Sequence, residues 1–235
     1  MKKLATLAIA LFAAIGAFAQ PEAGTFSLTP RVGFNISNLT GNVYDATYTL
    51  VDGKTTVEGD MHAGFAVGVD AGYQVSKHFA LSAGVVYSYQ GSARGYSTKI
   101  GSAEGKTAYE FKDKSKLNMS YLQIPILANV YLFKGFAVKA GIQPGFLLAA
   151  KDKENITSTA SKGSNSTADV KSDFKTFDFA IPVGVSYEFA NGLMIDARYN
   201  IGLTDVVKSG TALAKADKSG KTSVIQISLG YKFKL

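Results

Sequence analysis

The chain ends Ile225-Gln226-Ile227-Ser228-Leu229-Gly230-Tyr231-Lys232-Phe233-Lys234-Leu235, and the reading of this stretch decides the fold. Apolar side chains hold every odd position; polar or small ones hold every even position. That is the period of a β-strand with one apolar face, not the 3.6-residue period of a helix. The same alternation returns upstream in segments 26–37, 62–75, 78–90, 117–133, 136–148, 173–189 and 192–202. Their apolar stripes include Phe26, Leu28, Val32 and Phe34 in the first and Phe65, Val67, Val69 and Tyr73 in the second. With the last strand this makes eight strand candidates.

The distribution of charge between the two faces says where the apolar stripes point. Apart from Asp173 and Lys175 at the very start of segment 173–189, no Asp, Glu, Lys or Arg lies on the apolar parity of the eight segments. Arg31, Asp70, Lys139, Asp178, Glu188, Asp196, Arg198, Lys232 and Lys234 all lie on the other, among Gly, Ser, Ala, Asn and Gln. A soluble barrel would turn its apolar face inward and carry long charged side chains outside. Here the charged face is sparse, small-residued and of mixed sign, which suits the crowded lumen of a narrow barrel whose apolar face meets lipid. Arg31, Asp70, Lys139, Asp178, Glu188, Asp196 and Arg198 are expected to form one lumen charge network.

The links between segments alternate strictly. Ser76-Lys77, Lys134-Gly135 and Ala190-Asn191-Gly192 are tight turns, whereas 38–61, 91–116, 149–172 and 203–223 are long and rich in Gly, Ser, Thr, Lys and Asp. In an up-and-down arrangement all short turns fall at one end and all long loops at the other, as in outer-membrane barrels. The expectation is therefore all-β: an eight-stranded antiparallel up-and-down transmembrane β-barrel with four long extracellular loops, three short periplasmic turns and both termini periplasmic. Aromatics fall in two bands: Phe26, Tyr73, Phe79, Phe136, Tyr187, Tyr231 and Phe233 towards the short turns, Phe34, Phe65, Tyr87, Tyr89, Phe146, Phe179 and Tyr199 towards the long loops. Pro30, Pro125, Pro144 and Pro182 lie inside strand candidates, where proline removes a ladder hydrogen bond. Bulges or strand ends are expected there.

Residues 1–19, MKKLATLAIALFAAIGAFA, place two lysines before an apolar run and end on Ala17-Phe18-Ala19. This reads as a cleaved secretory signal peptide, leaving 20–235 as one barrel domain exported to the outer membrane. The apolar run is shorter than a spanning helix needs, and Gln20 rather than Cys after the cleavage site argues against a lipid anchor.

Ser228, Gly230, Phe233 and Leu235 resemble the C-terminal signal of outer-membrane barrels, which implies that the barrel-assembly machinery reads this strand. Two further stretches resemble the outer-membrane β-barrel domain family that includes PorT-like proteins. One is Tyr121-Leu122-Gln123-Ile124-Pro125-Ile126-Leu127 followed by Lys139-Ala140-Gly141. The other runs from Phe177-Asp178-Phe179 through Gly184-Val185-Ser186-Tyr187-Glu188-Phe189 to Asp196-Ala197-Arg198-Tyr199-Asn200. The resemblance implies the barrel; the secretion role attached to the PorT name is not carried over.

Across its 235 residues the chain has no Cys, no Trp, only two His, and a formal charge of +7. Thiolate catalysis and Cys-based metal sites are excluded, and His62 and His78 fall at opposite ends of a barrel, so they cannot share a metal. No phosphate-binding glycine loop is present. One nucleophilic arrangement is conceivable: His62 with Asp60 and a loop serine, Ser92 or Ser97. His62 also reads simply as a rim residue, and no catalytic, cofactor or metal site is expected. The basic residues are spread over four loops of an exported protein, which does not suit nucleic acid. Outer-membrane lipid and lipopolysaccharide are the expected partners; the loop lysines could contact lipopolysaccharide phosphates, though solubilising charge is the preferred reading of them. The chain is expected to be a monomer with a structural or surface-interaction role. The alternatives are a narrow channel, a lipid-modifying enzyme and a soluble lipocalin-like binder.

Overall fold

A computed structural model of the chain describes residues 22–41, 46–50, 53–57, 59–101, 107–158, 163–208 and 220–235. The proposed leader, 1–19, lies outside them. Eight long strands form one sheet: β1 (Phe26–Thr40), β2 (His62–Ser76), β3 (Phe79–Gly101), β4 (Thr107–Gln123, resumed as Ile126–Phe133), β5 (Phe136–Ser158), β6 (Phe177–Glu188), β7 (Leu193–Gly202) and β8 (Lys221–Tyr231, resumed as Phe233–Lys234). Each pairs antiparallel with its chain neighbours. β8 then returns to β1, with Arg31 opposite Gly230 and Thr40 opposite Lys221, so the sheet closes on itself without an edge.

The polarity is inverted relative to a soluble protein. Val32 is 60% exposed on the outside, and Phe34, Phe65, Val85, Ile227 and Leu229 share that face. Asn35 and Gln226, on the opposite parity, are buried inside with Arg31, Asp196 and Arg198. An apolar exterior this extensive is stable only against lipid, and a closed sheet is the form in which strands can lie there. The lipocalin-like alternative, which needs the apolar stripe inside, is thereby discarded.

Ring contacts mark the two ends of the lipid-facing band. On the short-turn side Phe26 meets Tyr73 at 4.7 Å between centroids, Phe133 meets Phe136 at 4.7 Å and Tyr231 meets Phe233 at 4.8 Å. On the other side Phe65 stacks on Tyr89 at 5.6 Å and Phe146 meets Phe177 at 5.7 Å. The short turns are as the sequence indicated; Gly135 and Gly192 hold positive φ of 76° and 88°, a region that glycine enters without a steric penalty.

Two expectations are corrected. Links 91–116 and 149–172 are mostly sheet, not loop. β3 continues to Gly101, β4 begins at Thr107, β5 continues to Ser158, and Ser164–Asp169 pairs with it. Beyond the membrane both faces of a strand are wet, so the apolar alternation that betrays a strand disappears while the ladder goes on. Within 38–61, Ala46–Leu50 and Gly53–Val57 likewise form a hairpin. The second correction concerns the prolines, of which Pro125 alone falls at one of the expected strand ends. None of the four causes a bulge: register shifts fall at Gln74/Ser76, Ile100/Gly101, Ser120/Tyr121 and Tyr131/Phe133. Pro125 instead breaks β4 with its register kept, Val86 opposite Gln123 before it and Ala83 opposite Ile126 after. The ladder closes around the gap through Gly84 N–H to Pro125 O at 2.9 Å and Ile124 N–H to Pro144 O at 2.9 Å. Pro30 falls opposite Tyr231, the last residue of β8 before its interruption at Lys232.

An arginine on the lipid face near mid-band tests the orientation. Val69→Arg is expected to lower stability by about 2–4 kcal/mol, read as a shift of the urea midpoint for the barrel in vesicles, whereas an arginine at the water-exposed Asn165 leaves it unchanged.

Candidate functional site

The barrel interior gathers the chain's charged side chains. Asp70 Oδ2, from β2, forms an ion pair with Arg31 Nε of β1 at 3.0 Å and accepts a hydrogen bond from Arg198 Nη2 of β7 at 3.3 Å. Arg198 Nε also reaches Asp196 Oδ1 at 2.5 Å, and Lys139 Nζ of β5 reaches Asp196 Oδ2 at 2.6 Å. Three cations and two carboxylates thus link β1, β2, β5 and β7, each side chain at most 9% exposed. Charges so far from water are tolerated because they are mutually paired. Room for the Asp70 carboxylate is made by Gly84 on β3, where a Cβ would collide with Asp70 Oδ1.

A neutral polar chain continues outward from this cluster. Arg31 Nη1 donates to Gln226 Oε1 at 3.0 Å, Gln226 Nε2 to Asn35 Oδ1 at 3.0 Å, and Asn35 Nδ2 to Ser88 Oγ at 3.0 Å. Ser88 and Gln123 both donate to Gln90 Oε1. Two residues expected in the charge network stand apart from it. Asp178 lies further out and accepts from Thr204 Oγ1 at 2.7 Å and Thr222 Oγ1 at 2.8 Å. Glu188 lies at the short-turn end, where Lys232 Nζ reaches it at 2.8 Å and Tyr131 Oη at 3.1 Å. The reason is axial distance: both face inward, but alternation specifies a face and says nothing of height along the barrel.

The interior also holds an apolar cluster that sequence reasoning missed. Leu39 of β1, Leu117, Met119 and Tyr121 of β4, and Leu147 and Ala150 of β5 pack with Phe174, Val206 and Val207. The last three belong to links between strands. Phe174 bridges Val207, Val170 N–H bonds Ala150 O at 3.0 Å and Lys175 N–H bonds Val206 O at 2.8 Å, so the links fold back over the long-loop end. The signal was present: segment 117–127 is apolar on both parities, with Leu117, Met119, Tyr121 and Leu127 inward and Leu122, Ile124 and Ile126 outward. Reading only the outward stripe hid it.

The His62 arrangement does not assemble. His62 Nε2 pairs with Asn118 Oδ1 at 3.0 Å rather than with a carboxylate. Asp60 Oδ1 accepts from its neighbour Met61 N–H at 2.7 Å, and Ser92 Oγ donates to Asn38 Oδ1 at 2.6 Å. The side chain of Ser97 lies outside the described residues. In the C-terminal strand Ser228 and Gly230 face inward, while Phe233 and Leu235 are exposed, with Leu235 N–H bonded to Phe26 O at 2.9 Å.

A closed eight-strand antiparallel ring with a lipid-facing exterior and a charge-bearing interior is an outer-membrane β-barrel. The chain belongs to the family described as outer membrane protein beta-barrel domain, whose profile matches residues 18–208. The outer membrane is accordingly its location. Similar solved structures include Ail, the attachment invasion locus protein of Yersinia pestis, at 14% identity and a TM-score of 0.41 over 90% of this chain and 99% of that one. Neisserial surface protein A gives 15% identity and 0.39 over 88% and 97%, and OprG of Pseudomonas aeruginosa 13% and 0.39 over 92% and 99%. Likenesses this distant carry no argument about role. No curated protein matches the sequence. The narrower PorT-like resemblance finds no counterpart among these relatives.

Removing one partner from a buried ion cluster leaves the others uncompensated. Asp196→Asn, which strips Lys139 and Arg198 of their shared carboxylate, is expected to destabilise the barrel by about 3–5 kcal/mol, measured by equilibrium urea unfolding in micelles. Because the cluster is buried, 1 M salt should leave that difference largely intact.

Proposed function

We propose that this protein is a closed outer-membrane barrel with a structural or surface-interaction role, not a wide diffusion pore and not an enzyme. The observation that carries the reading is the double occupation of the interior. The Arg31–Asp70–Arg198–Asp196–Lys139 cluster spans it at one level, and the apolar cluster around Phe174, Val206 and Val207 covers the long-loop end. At the short-turn end a cavity of about 40 Å³ remains, lined by residues including Thr29, Asp70, Asn129, Tyr131 and Lys139. That is room for a few water molecules and not for a solute. Eight strands leave an interior that side chains can fill, and this interior is filled by groups held in place by their own partners.

A barrel without a pathway acts through its outside. The parts that reach beyond the outer aromatic band are the extended β3, β4 and β5, the Ser164–Asp169 strand and the links around them, within 38–61, 91–116, 149–172 and 203–223. The pairing of His62 with Asn118 supports a non-catalytic reading of the one histidine at that end. The C-terminal strand, with Phe233 and Leu235 exposed, is suited to recognition by the barrel-assembly machinery.

Two measurements test this. In planar bilayers the purified protein is expected to give no sustained openings; a stable open level would overturn the filled interior. Because the chain has no cysteine, single substitutions report sidedness. Ser164→Cys on intact cells is expected to react with a membrane-impermeant maleimide and Lys134→Cys is not, and the reverse pattern would place the long links inside.

A further inference from the structure

Going up the outward faces of β4 and β5, the chemistry changes in three steps. First come lipid-facing residues, Ile124 and Leu122 on β4, Phe146 and Leu148 on β5. Then Ser120 and Asn118 accept from the hydroxyls of Tyr87 and Tyr89 on β3, at 2.9 and 2.7 Å. Tyrosine hydroxyls turned to polar partners beside an apolar band mark the headgroup level of a membrane. The next outward positions are all lysine: Lys116, Lys114 and Lys112 on β4, Lys151 and Lys153 on β5. Lys151 is three residues past Leu148, about 10 Å along the strand.

The register packs these cations together. Lys116 lies directly opposite Lys153, and Lys151 opposite Asn118. Like charges placed opposite each other across a ladder repel, and an anion between them reverses the sign. Four of the lysines, all but Lys151, line a groove of about 540 Å³ that also presents Asn155, Thr157, Asn165 and Thr167, together with Glu154 bonded to Ser166. Asp169 stands opposite Lys151 on the Ser164–Asp169 strand. Five cations against two carboxylates, with amides and hydroxyls between, is a surface for a multiply charged oxyanion.

We infer that this face binds the phosphate groups of the outer-leaflet glycolipid. Height selects the lipid over a soluble anion: the lysines begin one position beyond the tyrosine level, on strands whose lower residues are already in lipid. The binding is independent of whether the barrel conducts. Each lysine near an anionic membrane surface contributes about fivefold in affinity.

The experiment compares retention by the barrel in zwitterionic micelles, using bisphosphorylated lipid A, dephosphorylated lipid A, inorganic pyrophosphate and a sulfated polysaccharide as probes. Wild type is expected to retain the phosphorylated lipid at least tenfold better than the dephosphorylated one. Lys114→Gln, Lys116→Gln, Lys151→Gln and Lys153→Gln together are expected to reduce this by about 600-fold. Lys77→Gln with Lys134→Gln, at the opposite end, is expected to leave it unchanged, and heat-modifiability on a gel reports folding of every variant. Equal retention of the two lipids by wild type overturns the inference without any variant being needed. So do equal loss in the control, full retention in the four-lysine variant, or pyrophosphate or polysaccharide competing as well as the lipid.

Discussion

Hydrocarbon offers a backbone amide nothing to bond with, so every N–H and C=O of this chain inside the membrane has to find its partner in the chain itself. The seam between β1 and β8 is where that requirement is met or lost: until Arg31 faces Gly230 and Thr40 faces Lys221, both strands carry unpaired rows. Ring closure explains features that look unrelated. It explains why the prolines, which bring no N–H to the ladder, have no free edge to sit on and must be accommodated within paired strands. It also explains why Gly84 N–H and Ile124 N–H are bonded to proline carbonyls across the break in β4.

Closure in turn sets the interior. A ring of eight strands is narrow, and the side chains turned inward meet across it. Arg31, Asp70, Lys139, Asp196 and Arg198 come from four strands and up to 167 positions of sequence separation, yet lie within hydrogen-bonding distance. Buried charges in such a cluster are poor contributors to net stability but strong determinants of arrangement, since each partner is costly to leave alone. Above them the apolar cluster does the opposite work with the opposite chemistry: Phe174, Val206 and Val207 leave water by folding into the barrel mouth.

The exterior is stratified in the same way. Apolar side chains, then the polar partners of the β3 tyrosine hydroxyls, then lysines follow each other up β4 and, with lysines past the apolar residues, up β5. One strand pair therefore meets three solvents, and its composition follows them. This is why the alternation that identifies a strand inside the membrane gives no sign of the same strand outside it.

Alternation, parity of charge and the strict order of short and long links were enough, from the sequence by itself, to determine eight strands, the direction each faces and the membrane they cross. These are local properties, since a period of two assigns a face to a residue whatever its neighbours do. Height along the barrel and partnership across it are not local. Asp178 and Glu188 share the inward face with Asp196 but sit at other levels, and His62 turned to Asn118 instead of Asp60. The inward Leu117, Met119 and Tyr121 gained their meaning only when two distant links folded onto them. Those decisions belong to the tertiary structure, because they depend on strand stagger and on contacts between segments that no single stretch of chain contains.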